Sequence, residues 1–279
     1  MLLPAASATA APYQPTGAFA SFNNCPLSKS TLKACFYSKV SSGYVTTGNK
    51  TVPIKNPVVL QGGLEYPENV FENVTFLGAE DGNTLTKSPQ PVPGGLLGIQ
   101  APSWWPSLLR NLFNETINNG FTGVTATMEL AGPPSAVKLN VLATATGEGT
   151  ALHMPVKIKL GNPFLGNNCY IGSNSQPITL KLTTGTTSPP PPNTPISGSP
   201  GEGAESENGD LLTISKNKLV DNSFAVPGAN GCGGILFSWA VDPFVESIVG
   251  IPSPAGKNTA VLEGEIKIGN PVAVKASMP

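Results

Sequence analysis

The sequence predicts an all-β fold: an antiparallel β-sandwich or barrel-like core, in one domain or two β lobes, with two short capping helices. Three observations point there. Apolar and polar residues alternate strictly over several stretches, which sets one strand face in a core and the other in water. Clusters of Gly, Pro, Asn and Asp separate these stretches as turns would. Finally, 279 residues at 39% hydrophobic content can build a proper core, while a charged fraction of 12% is about half the usual quarter.

Taken from the N-terminus, Met1 to Pro12 reads MLLPAASATAAP. An apolar stretch leads into Ala8-Thr9-Ala10, the small residues that a signal peptidase accepts at its cleavage site. Residues 1–10 are therefore expected to be the remnant of a secretory signal peptide, with Ala11 as the mature start. The alternative is a flexible Ala-rich tail. Export would place the chain outside the cell or on its surface, where disulfides persist.

The cysteines fit that compartment. Cys25, Cys35, Cys169 and Cys232 are even in number, and four cysteines allow three connectivities. Cys25 and Cys35 flank the short loop PLSKSTLKA, so local pairing is the simplest choice and leaves Cys169 with Cys232. Loop closure assigns about 3 kcal/mol to the short bridge and about 4 to the long one. Zinc is disfavoured, because no Cys-x-x-Cys pair exists and the single histidine, His153, is remote in sequence.

The clearest strands lie mid-chain. Val124, Ala126, Met128 and Leu130 share one face; Val137, Leu139, Val141, Ala143 and Ala145 share the next; Leu152, Met154, Val156, Ile158 and Leu160 share a third. Short turn-rich links join them, the pattern of a β-meander with one buried face. Alternation returns at Ile178, Leu180 and Leu182, and at Ala260, Leu262, Gly264, Ile266 and Ile268. Shorter candidates cover 51–60, 70–77, 211–215, 218–226 and 272–276, giving roughly ten strands.

Two segments have helical spacing. Pro106 to Asn118 groups Leu108, Leu109, Leu112, Phe113 and Ile117, and Asn119-Gly120 offers an end cap. The second is expected to start at Asp242-Pro243, a capping residue followed by proline at the first helical position, and to end at Gly250. Both are expected to plug an open end or edge of the β core. Residues 188–208 carry four consecutive prolines and no periodicity, which predicts an exposed loop or linker. The chain thus divides into a β domain or first lobe at 11–187, that loop, and a C-terminal β segment at 209–279 held back by the long disulfide.

Four motifs carry a resemblance: Phe22-Asn23-Asn24-Cys25-Pro26, Leu60-Gln61-Gly62-Gly63, Cys169-Tyr170-Ile171-Gly172-Ser173 and Val220-Asp221-Asn222-Ser223-Phe224-Ala225-Val226-Pro227. Together they resemble a family of exported proteins from high-GC Gram-positive bacteria. The resemblance covers most of the chain. It implies export and supplies no catalytic residue.

Chemistry is sparse. The net charge of −1 comes from scattered charges with no basic stripe, which argues against nucleic acid as a partner. No apolar run approaches the ~18 residues of a membrane span. His153 falls on the outward face of its strand, and no Gly-x-Ser-x-Gly elbow is present for a serine nucleophile. Glu80, Asp81 and Asn83 cluster hard oxygen ligands suited to calcium, although beside Gly82 they equally suit a turn. Trp104-Trp105 is either an exposed stacking platform or the anchor of its helix in the core; Trp239, within ILFSWAV, reads as core. Asn49, Asn73 and Asn114 open glycosylation-type triplets.

The expectation is a non-enzymatic secreted or cell-envelope protein with no cofactor, working on an unknown protein or envelope partner. The alternative is an extracellular carrier of an apolar small molecule or lipid, held between the sheets and the helices. Gly94-Gly95-Leu96-Leu97-Gly98-Ile99 and Gly233-Gly234-Ile235-Leu236-Phe237 would line its mouth. A carboxylate-based hydrolase is the remote third reading.

Overall fold

The computed structural model describes residues 14–66, 74–95, 103–111 and 122–279. The expected signal remnant at 1–10 and much of the first expected helix lie outside the described residues. Among the described residues, fourteen strands form one antiparallel hydrogen-bonded sheet. They are β1 (Ala34–Thr47), β2 (Lys50–Pro53), β3 (Val58–Glu65), β4 (Val74–Gly78), β5 (Gln90–Pro91), β6 (Thr125–Leu130) and β7 (Lys138–Leu139). The second half adds β8 (Leu152–Gly161), β9 (Tyr170–Ile171), β10 (Ile178–Leu182), β11 (Glu202–Glu205), β12 (Leu211–Asp221), β13 (Ala229–Asn230) and β14 (Thr259–Gly269).

The sheet curls on itself. Its path runs β12-β14-β1-β3-β4-β7-β8, and β10 pairs the far edge of β8. Thr183, just beyond β10, then exchanges both backbone hydrogen bonds with Val220 of β12, each 2.9 Å. Eight strands therefore form a closed, barrel-like circuit, and closure is what removes exposed edges from a β protein. Two register shifts help the sheet bend: one in β1 between Val40 and Ser42, one in β12 between Ile214 and Asn217. Both face Gly264 of β14, where a Cβ would land on the Lys39 carbonyl oxygen. Glycine is required there because the bulged β1 approaches its backbone closely.

The core follows the alternation. Leu152, Met154, Val156, Ile158 and Leu160 of β8 are all buried, with half-buried residues between them. Ile178, Leu180 and Leu182 of β10 join them, as do Leu219, Leu262 and Ile266 from the opposite wall. A smaller cluster lies on the other side of β1, where Phe22, Cys25, Cys35, Leu211 and Val274 pack together. The Cys25–Cys35 bridge sits in this second core, and Cys169–Cys232 joins the first.

Several elements differ from the sequence reading. The run Val137–Ala145 is a strand only at Lys138–Leu139; Val141–Thr146 is a helix, α1. Its cap explains the change: the Asn140 side chain accepts from the Ala143 N–H, and Gly147 ends the helix at φ 75°. Residues 272–276 likewise belong to a helix, α3 (Pro271–Ala276), capped by Asn270 with proline in the first turn. Segments 211–215 and 218–226 are largely one strand, β12, bent at its register shift. The helix expected from Asp242 instead runs from Gly234 to Val249; it is α2. Residues 188–208 are largely exposed, yet Asn193 donates to the carbonyls of Asn222 and Asn258, and β11 pairs with β12.

Candidate apolar binding site

α2 has its chemistry reversed relative to an ordinary surface helix. Its two carboxylates face the protein: Asp242 accepts from the backbone N–H groups of Gly231 and Cys232, and Glu246 accepts from that of Ala229. With the Cys169–Cys232 bridge one residue before its N-cap, these bonds fasten the helix to the β9–β13 pair. The side turned to water is apolar. Ile235 is fully exposed, Leu236 and Trp239 are at least three-quarters exposed, and Phe237 and Phe244 follow. Trp239, expected in the core, is therefore a surface residue. The Asp242-Pro243 pair suggested a helix start, but the carboxylate caps the loop before the helix from within it.

Behind the second half of α2 lies a pocket of about 90 Å³. Phe244, Val245, Ile248 and Val249 of α2 form one wall; Val45, Val52, Val124, Met128, Ile158 and Leu160 of the barrel form the other. A smaller void of about 40 Å³ lies beside it in the barrel, sharing Ile54, Val58 and Met128 as walls. The pocket is partly open to solvent, and Phe244, which lines it, is half-exposed. Its polar lining is mostly committed elsewhere. Gln90 accepts from the N–H groups of Lys55 and Asn56 and donates to the carbonyls of Asn56 and Ser88. Among the described residues, Lys50 is the one charged residue on the wall.

Comparison with protein-family models, curated proteins and solved structures finds no match. The site is therefore read from its own geometry.

Of the expected mouth, Gly95 is the one described residue that lines the pocket. Residues 96–99 lie outside the described residues, and Ile235, Leu236 and Phe237 point to water. The pocket wall is drawn from the later turns of α2, which sequence spacing gave no reason to separate from the first.

The other candidates are not brought together. Asp81 accepts from the Asn83 N–H in a tight turn, and Ser28 reaches Glu80. Among the described residues, no three His, Cys, Asp or Glu side chains gather in a metal-binding group. Trp104 is exposed and Trp105 half-buried at the start of a helical segment over 107–111. On the outer face of β8, Lys157 stands 4.7 Å from the centre of the Tyr170 ring. Burial, and then the Glu129 charge, push the Tyr170 hydroxyl pKa up. A wide polar hollow of about 540 Å³ near the two bulges is lined by Lys39, Lys216 and Lys218 against Glu263 and Glu265, so its charges largely balance.

His153 faces outward between Lys138 and Lys181 in neighbouring strands, and its Nδ1 is shielded without a hydrogen-bond partner. Among the described residues, the ring makes no hydrogen bond. His153→Ala is expected to change stability by no more than about 0.5 kcal/mol, measured by urea unfolding. A loss above about 2 kcal/mol would show that the ring holds the strand register.

Proposed function

We propose that this chain is a non-enzymatic exported protein that carries an apolar, lipid-like molecule in the pocket behind α2. The observation that carries the reading is the pocket itself: apolar on both walls, with half-exposed Phe244 on its α2 side and a second apolar void beside it in the barrel. A slot of this shape admits a hydrocarbon chain end-on, and Met128 at the junction of the two voids is a side chain that yields readily. Lys50 on the wall favours a ligand whose head is acidic. Export is supported by the Ala8-Thr9-Ala10 site and by two disulfides. The broader reading, an envelope protein working through an exposed surface, is favoured by the outward face of α2.

Titration with a fluorescent long-chain fatty acid tests the carrier reading. The wild type is expected to bind in a saturable, one-to-one manner. Ala126→Phe projects a ring from β6 into the pocket and is expected to weaken binding about tenfold or more, with Ile248→Trp as a second plug from α2. Equal binding by the wild type and both folded variants would place the probe elsewhere and sink the proposal.

A further inference from the structure

We infer that the outward face of α2 is a lipid-surface docking element, which seats the mouth of the pocket against a membrane or lipid layer. The inference rests on the carrier reading for its purpose, but on α2 alone for its evidence. A helix lying at the surface of a soluble protein turns its apolar stripe inward and its charges outward. α2 does the opposite. Asp242 and Glu246 are consumed by backbone N–H groups of the segment it packs on, while Ile235, Leu236, Phe237, Trp239 and Phe244 meet water.

The arrangement cannot relax by rolling the helix inward. Rotation would break three hydrogen bonds to the carboxylates and strain the link to Cys232, whose sulfur is bonded to Cys169. The apolar face is thus held outward by the covalent and polar structure behind it.

Three features select a lipid surface over a protein partner. First, the face offers almost no side-chain hydrogen bonding, since the Trp239 indole already donates to the Leu236 carbonyl at 3.2 Å. A protein interface carries roughly one hydrogen bond per 100–200 Å². Second, a helix of 16 residues is about 24 Å long and about 10 Å wide, so its footprint is a few hundred Å². A stable dimer needs about 800 Å² from each partner. Third, half the width of a helix, about 5 Å, matches the depth at which interfacial helices lie in a bilayer. Phe244 belongs both to this face and to the pocket wall, so a docked helix would place the pocket mouth at the acyl-chain boundary.

The net charge of −1 adds a condition: attachment should come from apolar insertion and not from attraction to anionic lipid. The test is co-sedimentation of the full chain with phosphatidylcholine vesicles, at low and high salt. Binding is expected, unchanged by salt or by added phosphatidylglycerol, and weakened about tenfold or more in each of Leu236→Asp and Trp239→Asp. Both residues are exposed, and their thermal melts should match the wild type. Ile235→Asp replaces either if one does not fold. Absence of vesicle binding by the wild type overturns the inference. So does a concentration-dependent dimer in sedimentation velocity that the same substitutions abolish, because a second copy would then cover the face. Vesicle binding together with no uptake of the soluble fatty-acid probe would leave docking standing and remove the carrier reading.

Discussion

Replacing Cys169 and Cys232 together by alanine is expected to lower the stability of the chain by about 4 kcal/mol, following the loop-closure relation for a 63-residue separation. Both sulfurs are fully buried in the main core, so each alanine also leaves a small void. For a chain of this size the thermal midpoint should fall by roughly 10 °C. The bridge also precedes α2, so the fatty-acid probe should bind more weakly even below the new midpoint. Opening Cys25–Cys35, with a separation of 10 residues, is expected to cost less, about 3 kcal/mol, and to leave probe binding intact. Its cysteines pack in the smaller core, away from the pocket. Differential scanning calorimetry of the two double variants checks the order; a larger loss from the short bridge would contradict it.

The second large effect is expected at Asp221, at the seam where the barrel closes. Its carboxylate is buried and accepts from the Lys181 N–H at 2.7 Å and the Ser223 N–H at 2.8 Å. Asp221→Ala would strand both donors, at about 1–3 kcal/mol each, so a total loss of about 2–6 kcal/mol is expected. Burial is the main influence on this acid and raises its pKa; the two N–H groups and the Lys181 charge pull it back only in part. A raised pKa means the folded chain holds the proton longer than the unfolded one. The stabilisation from Asp221 is therefore full below the ordinary aspartate value of 3.8 and declines as pH rises through the folded-state value. The stability gap between the wild type and Asp221→Ala should accordingly be widest in acid and narrow toward neutrality. Urea midpoints across that range measure it, and a gap that widens with rising pH would contradict the assignment.

How much of this could be read from the sequence depended on whether one face of an element was uniformly buried. β8 and β10 have a dry inner face and a wet outer one, so their alternation was visible residue by residue. β1 is the longest strand at 14 residues, yet it was missed. Its first half is covered on both sides, by the main core and by the Phe22–Val274 cluster, and a bulge resets its phase at Val40, so no period of two survives along it. α1 and α3 were read as strands because each is a single apolar stretch too short for helical periodicity to show. The usable signals were the caps, Asn140 with Gly147 and Asn270 with Pro271.

The site was legible only as composition. The glycine- and leucine-rich segments suggested a mouth for an apolar ligand, but nothing local showed that Asp242 and Glu246 turn inward. That orientation is set by unpaired backbone N–H groups at 229–232, which exist only once β13 and the disulfide have fixed the loop. Trp239 was placed in the core by the apolarity of its neighbours, and it is that same apolarity, turned outward, that defines the docking face.

The most direct test of the central claim is native mass spectrometry of the protein purified without detergent from its own host, alongside Ala126→Phe prepared in the same way. The account predicts a single extra mass on the wild type that extracts into organic solvent as an apolar, chain-bearing molecule, and its loss or marked depletion in the variant. A wild type that carries no such molecule and takes up none from added fatty acid would contradict it.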